Sequence, residues 1–231
     1  MIANLPMYER AELAQAHNQF WQLIRKNLNI ESPEHLSQDA GEMEVWIRPD
    51  LILSQACGKP YREILHNKVT LIGTPDYGIE GCPPGYYRSA FVIRKEEKRE
   101  QLDDFKDALF AYNNKMSQSG YHVANDFFES EICSGGHLNS AKMVAQGKAD
   151  IAAIDAISLV FMEKYEVFFT KIKILSWTEP TPGLPYITAL GNDKEEYFDA
   201  IKNAISELPE DVRRTLKIKD IVDITKEDYF I

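Results

Sequence analysis

The residue types that could do chemistry concentrate in two stretches of the 231-residue chain, "NNKMSQSGY" (113–121) and "SGGHLNSAKMVAQGKADIAAID" (134–155). Each sets small hydroxyl residues and glycine where a strand gives way to a helix. The first offers Ser117, Ser119 and Gly120; the second offers Ser134, Gly135, Gly136, His137, Asn139 and Ser140. At such a junction unpaired backbone N–H groups point outward and the helix end carries partial positive charge, so an anion is the ligand that fits. Serine and asparagine are also favoured as plain N-caps, which is the alternative for either stretch alone. Asp155 follows the apolar strand Ile151–Ile154 and should emerge at the same carboxyl end as both serine turns. There it either caps the helix behind it or accepts a hydrogen bond from a protonated ligand oxygen or an ammonium group. A carboxylate repels a full phosphate dianion, which favours a ligand carrying a donor.

Other reactive types are less well placed. Lys115 either adds charge toward an anion or stays solvated. Cys57, Cys82 and Cys133 are an odd count without zinc or redox spacing, so they read as reduced thiols, with a Cys57–Cys82 disulfide as the alternative in an exported protein. Cys133 should pack as a small hydrophobe. His17, His35, His66 and His122 lie without metal spacing and read as structural, so neither metal nor cofactor is expected.

The elements that must hold these residues alternate between strand and helix. Strands are expected at Ile2–Leu5, Met43–Ile47, Val69–Ile72, Ser89–Arg94, Phe110–Tyr112 and Lys173–Trp177. Helices are expected over Glu9–Leu28, with Leu13, Ala16, Phe20, Leu23 and Ile24 inward, and over Glu100–Leu109, Ser119–Glu129 and Ala156–Tyr165. Alternation of this kind predicts an α/β protein with parallel sheets covered on both faces. The Pro/Gly-rich passages "GCPPGYY" and "EPTPGLPY" cut the chain in three, and folding the end back on the beginning gives two lobes, 1–88 plus 186–231 and 89–185, with a hinge of two crossings and a cleft.

A net charge of −10 argues against a nucleic-acid surface, and no window reaches the roughly 20 apolar residues of a membrane span. The opening "MIANLPMYER" shows no basic n-region or cleavage site, so the chain as written reads as cytoplasmic, or periplasmic if a signal lies upstream.

These stretches, with "GYYRSAFVIR", "LSQACGKPY" and "WTEPTPGLPY", resemble the phosphate/phosphonate-type substrate-binding proteins of ABC transporters over nearly the whole chain, nearest to a short subgroup without a signal peptide. The resemblance implies a two-lobed type II periplasmic-binding-protein fold with mixed sheets, probing a small phosphonate- or phosphate-like anion between the lobes. It implies ligand-binding roles for Ser117, Ser119, His137 and Asp155, beside Gly120 and Ser140 from the two helix heads, with Tyr8 of "LPMYER" and Tyr86 or Tyr87, Tyr87 foremost, walling the cleft. The expected protein is a monomer without catalytic residues, with an ABC permease as the implied partner. Two rivals remain open on the same scaffold: a biosynthetic enzyme using Asp155, His137 and a cysteine as acid, base and nucleophile, and a cytosolic ligand sensor.

Overall fold

The computed structural model describes residues 1–38, 42–124 and 126–230. The chain divides into two compact units, Met1–Tyr86 with Pro182–Ile231, and Tyr87–Thr181. In chain order, the first part of unit one holds β1 (Ile2–Ala3), α1 (Ala14–Leu28), α2 (Glu42–Trp46), β2 (Leu51–Gln55), α3 (Gly58–Pro60) and β3 (Val69–Asp76). Strand β4 (Tyr86–Tyr87) marks the first crossing. Unit two follows with β5 (Ser89–Arg94), β6 (Leu109–Tyr112), β7 (Ser130–Cys133), α4 (His137–Ala145), β8 (Ile151–Asp155), α5 (Ala156–Tyr165) and β9 (Ile172–Trp177). Strand β10 (Thr181–Pro182) marks the return, and unit one is completed by β11 (Tyr186–Ala189), α6 (Lys194–Glu207), α7 (Glu210–Leu216) and β12 (Asp220–Val222).

Unit one is built on a five-stranded sheet of order β1-β2-β11-β3-β12. Helix α1 forms because its apolar residues recur at helical spacing: Leu13 just before it and Ala16, Phe20 and Ile24 within it are buried, while Leu23 packs at the margin. It ends at Asn29 in the left-handed conformation (φ 49°), with Arg25 and Lys26 in its last turn to complement the helix dipole. Tyr197, Ala200, Ile201 and Ala204 give α6 a matching face in the same cluster. The opposite sheet face buries Trp46, Tyr61, Leu65 and Tyr229, each large side chain contributing on the order of 2–3 kcal/mol by leaving water.

The expected strand at Met43–Ile47 is instead the helical turn α2. Met43, Val45 and Ile47 satisfy a strand's alternation, but Val45 and Trp46 are neighbours and both buried, while Ile47 is exposed. The Trp46 indole donates to Ser54 Oγ at 3.1 Å, which pins the turn to β2.

Unit two has the order β7-β6-β8-β5-β9. Strands β6, β7 and β8 are mutually parallel, and β5 runs antiparallel to β8 and β9. Both sheets are therefore mixed rather than purely parallel. The strand after each crossing, β5 or β11, runs antiparallel to both of its neighbours. Small apolar residues of β5, β6 and β8 pack against α4 and α5 on one face, and Phe91, Phe105, Phe110 and Tyr112 form the core of the other.

Two expected helices are absent here. The 100–109 stretch makes only the 3-10 turn Leu102–Phe105, and among the described residues of 119–129 only His122–Ala124 is helical, again as a 3-10 turn. In the latter the chain folds back so that Phe128 stacks on Phe110 (4.4 Å, 6°) and Tyr121 tilts against Tyr112, and Gly120 weakens the helical alternative. Strand β7 follows at once, and all four of its residues are exposed.

Candidate functional site

The parallel pairing of β7, β6 and β8 brings three carboxyl ends to one edge of unit two. Tyr112 lies opposite Cys133, and Ala111 opposite Ala152, so Asn113, Ser134 and Asp155 all leave the sheet there. Backbone bonds stitch two of the exits together: Ser134 N donates to Tyr112 O (2.7 Å) and Gly135 N to Asn113 O (3.1 Å). Gly135 makes the turn in the left-handed region (φ 83°). The Ser134 hydroxyl lies 3.0 Å from both Tyr112 O and Gly136 O, and 2.6 Å from Ser140 Oγ. Ser140 is fully buried, so its hydroxyl braces the turn from behind.

The first serine stretch reaches this edge as a chain of turns rather than a helix head. Met116 N donates to Asn114 Oδ1 (2.9 Å), His122 N to Ser117 O (3.0 Å), and Gly120 N to Ser117 Oγ (3.0 Å). The loop then passes so close to its neighbours that a Cβ on Gly120 would stand 2.1 Å from Asn113 Oδ1 and 2.9 Å from His137 Cε1. Only glycine fits. With it in place, Ser119 Oγ comes to 2.9 Å from His137 Nε2.

His137 opens α4 and Asp155 caps α5. Asp155 Oδ1 accepts from Ile157 N (3.0 Å) and Ser158 N (2.8 Å), while Oδ2 stands 3.4 Å from His137 Nε2. Capping and facing the site are thus divided between its two oxygens. Burial pushes the His137 pKa down, against the opposite pull of Asp155 and of the Ala153 backbone. The ring is therefore neutral at neutral pH. A carboxylate oxygen beside Nε2 favours the tautomer with the proton on that nitrogen. Ser119 Oγ can then accept from the ring and keep its own hydrogen for an outside acceptor. Ser119, His137 and Asp155 are the residue types of a hydrolytic triad, but both oxygens meet the same ring nitrogen, whereas a relay uses opposite ones.

Five sequence-predicted residues, Ser117, Ser119, Gly120, His137 and Asp155, therefore meet within unit two, and Ser140 stands one layer behind. Tyr8 belongs to unit one, in the 3-10 turn Pro6–Tyr8, where it packs edge-on to Tyr77 (5.4 Å, 82°). Tyr87 is buried in β4. Lys115 is solvated, 3.5 Å from Glu131 and 66% exposed. Cys133 is exposed rather than packed, with Sγ 3.4 Å from Asn113 O. Cys57 precedes α3 and Cys82 lies in the turn before β4, both in unit one.

Sequence reasoning passed over three groups on the same edge. Ser89 pairs with Asp155 in register. Arg88 lies over the Trp177 ring at 4.3 Å, with a buried Nε that has no hydrogen-bond partner among the described residues. Asn113 directly follows β6; the strand-end rule that singled out Asp155 would have found it too. Among the described residues no group of three or more His, Cys, Asp or Glu could hold a metal, and no helix is long and apolar enough to cross a membrane.

Two α/β units with mixed sheets are the architecture of the type II periplasmic-binding-protein fold. Residues 2–229 match the family described as ABC transporter, phosphonate, periplasmic substrate-binding protein, and the chain belongs to it. Solved structures agree on the fold. A binding protein component of a phosphonate ABC transporter from Pseudomonas aeruginosa superposes with a TM-score of 0.74 at 15% identity, over 99% of this chain and 83% of that one. PhnD1 of Prochlorococcus marinus, in complex with methylphosphonate, gives 0.74 at 16%, over 99% and 93%. A Xanthomonas citri protein bound to ATP gives 0.68 at 15%, over 98% and 92%. Comparison with curated protein sequences finds no match.

Proposed function

We propose that the chain binds a small phosphonate- or phosphate-like anionic metabolite, with its head group at the strand-end edge of unit two, in the service of transport. The observation that carries this reading is the convergence of Ser119 Oγ and Asp155 Oδ2 on His137 Nε2 beside Gly120. In the proposed complex the neutral His137 holds the Ser119 oxygen from below. The Ser119 hydrogen and the Ser117 hydroxyl serve the anion's oxygens, and the absence of a side chain on Gly120 lets the loop that carries them close on Asn113 and His137. Asp155 Oδ2 accepts from a protonated oxygen or an ammonium group on the ligand. An ABC permease is the partner proposed from membership of the family.

Native mass spectrometry of freshly purified protein should reveal a retained anion by mass, and calorimetry should detect binding of methylphosphonate. Ser119→Ala should weaken that binding by about 1–3 kcal/mol. Unchanged affinity in a folded Ser119→Ala protein, or wild-type protein that binds neither methylphosphonate nor inorganic phosphate, would contradict the reading.

A further inference from the structure

We propose that Asn113 is a ligand-reading residue, a second acceptor beside Asp155 that takes the proton of the head group, so that the site selects protonated phosphonates and phosphates over isosteric sulfonates. This rests on the anion-binding reading above and deepens it.

Asn113 leaves the sheet at the end of β6, the strand between β7 and β8, and is 8% exposed. Its backbone carbonyl is used twice, by Gly135 N at 3.1 Å and Cys133 Sγ at 3.4 Å. Its side-chain Oδ1 is different: it is buried and has no hydrogen-bond partner among the described residues. The close approach of Gly120 locates that oxygen, since the Cβ that would stand 2.1 Å from Oδ1 would also stand 2.9 Å from His137 Cε1. The Nε2 corner of the same ring faces Asp155 Oδ2. Two carbonyl-type acceptors thus flank one imidazole, and only Asp155 has a protein donor near its inward oxygen.

A buried carbonyl left without a donor costs the desolvation of that group, and native proteins keep such a group where a ligand or water completes it. The ligand's chemistry follows from what is missing. A phosphonate monoanion carries two bare oxygens and one P–OH. The serine hydroxyls serve the bare oxygens, and the one P–OH supplies the donor that Asn113 lacks, which leaves Asp155 Oδ2 to the His137 ring or to a further donor, such as an ammonium group, where the ligand carries one. A sulfonate has the same shape and charge but no O–H, so it leaves Oδ1 orphaned. Sites built to hydrogen-bond a ligand group reject the analogue without it far more strongly than sites that only measure shape.

The test measures methylphosphonate and methanesulfonate binding by calorimetry at about pH 5.5, where the phosphonate keeps its second proton. Wild-type protein is compared with Asn113→Leu, which keeps the volume, and Asn113→Ala, which shows whether leucine overpacks. Wild type should prefer methylphosphonate, and at least one folded variant should narrow that preference by about tenfold. That variant's melting temperature without ligand should hold or rise, because an orphaned acceptor has gone. Preference and affinity retained within about twofold by both variants would overturn the proposal. So would a lower melting temperature in both with the preference unchanged, since Asn113 would then be a structural residue. Failure of wild type to bind either methylphosphonate or inorganic phosphate is a failure of the underlying reading. It shows before any variant is made, and the proposal falls with it.

Discussion

Each unit buries polar side chains near the ends of its sheet strands, and the two units finish them differently. In unit one three such sets close on themselves, while His66 Nδ1, in the turn before β3, has no hydrogen-bond partner among the described residues. Ser54 takes the Trp46 indole and donates to Asn4 Oδ1, and Thr188 Oγ1 donates to Leu51 O while accepting from Asn192. Tyr229 OH lies 2.6 Å from Thr74 Oγ1 and 3.1 Å from Gly183 O. In unit two the edge stays open: among the described residues Asn113 Oδ1 and Arg88 Nε have no hydrogen-bond partner, and Asp155 Oδ2 stands 3.4 Å from His137 Nε2. A closed network of buried polar groups is explained by folding alone. An open one needs something that is not protein, because buried polar groups are nearly always satisfied. Loss of a closed-network residue should therefore cost stability and spare ligand preference, whereas change at the open edge should do the reverse.

The largest expected effect breaks the closed side. Trp46→Ala removes a buried indole and the donor to Ser54, and should cost about 3–5 kcal/mol in denaturant unfolding. Any folded fraction should bind methylphosphonate as wild type does. A shift in ligand preference would blur the contrast between the units.

Next in size is a pH effect confined to unit one. Burial pushes the His17 pKa down to about 4. The unfolded chain takes up this proton near pH 6.5 and the folded one does not, so the stabilisation is present above about pH 6.5 and drains away as pH falls toward 4. The full loss is about 3 kcal/mol, which His17→Gln should flatten in urea titrations at successive pH values. His137 is depressed in the same direction but is opposed by Asp155. Replacing His137 should therefore act on ligand affinity more than on the acid limb of stability.

Gly120→Ala probes the open side. The added methyl would meet Asn113 Oδ1, and pushing the loop off His137 should cost about 1–3 kcal/mol. The cost should appear chiefly as lost ligand affinity, with the melting temperature of the free protein showing how much is paid in folding. The smallest effect is Tyr229→Phe, which leaves the ring in place and removes one closed hydroxyl. About 1 kcal/mol of stability should go, with binding unchanged.

Legibility in the sequence followed how strongly each segment commits to one environment. Strands β5, β8 and β9 and helix α5 were readable because their apolar runs are buried almost throughout or are bounded by breakers. Strand β7 was not: Ser130, Glu131, Ile132 and Cys133 are all exposed at the sheet margin, and only pairing to β6 makes them a strand. Tyr121, Ala124, Phe127 and Phe128 carry a helical spacing, yet Phe128 packs against Phe110 and Tyr121 against Tyr112 from turns, a tertiary override of local periodicity. The same override explains how the site was partly read. The strand ends point to Ser119, His137 and Asp155, but the approach of Gly120 to Asn113 depends on a loop path that no periodicity encodes.

The most direct test of the open edge is the imidazole nitrogen spectrum of the five histidines, recorded with and without methylphosphonate. Saturating ligand should shift the His137 Nε2 resonance, as the Ser119 hydrogen turns to the head group, and leave His17, His35, His66 and His122 in place. Saturable binding by calorimetry with His137 unmoved would place the anion elsewhere and contradict the account.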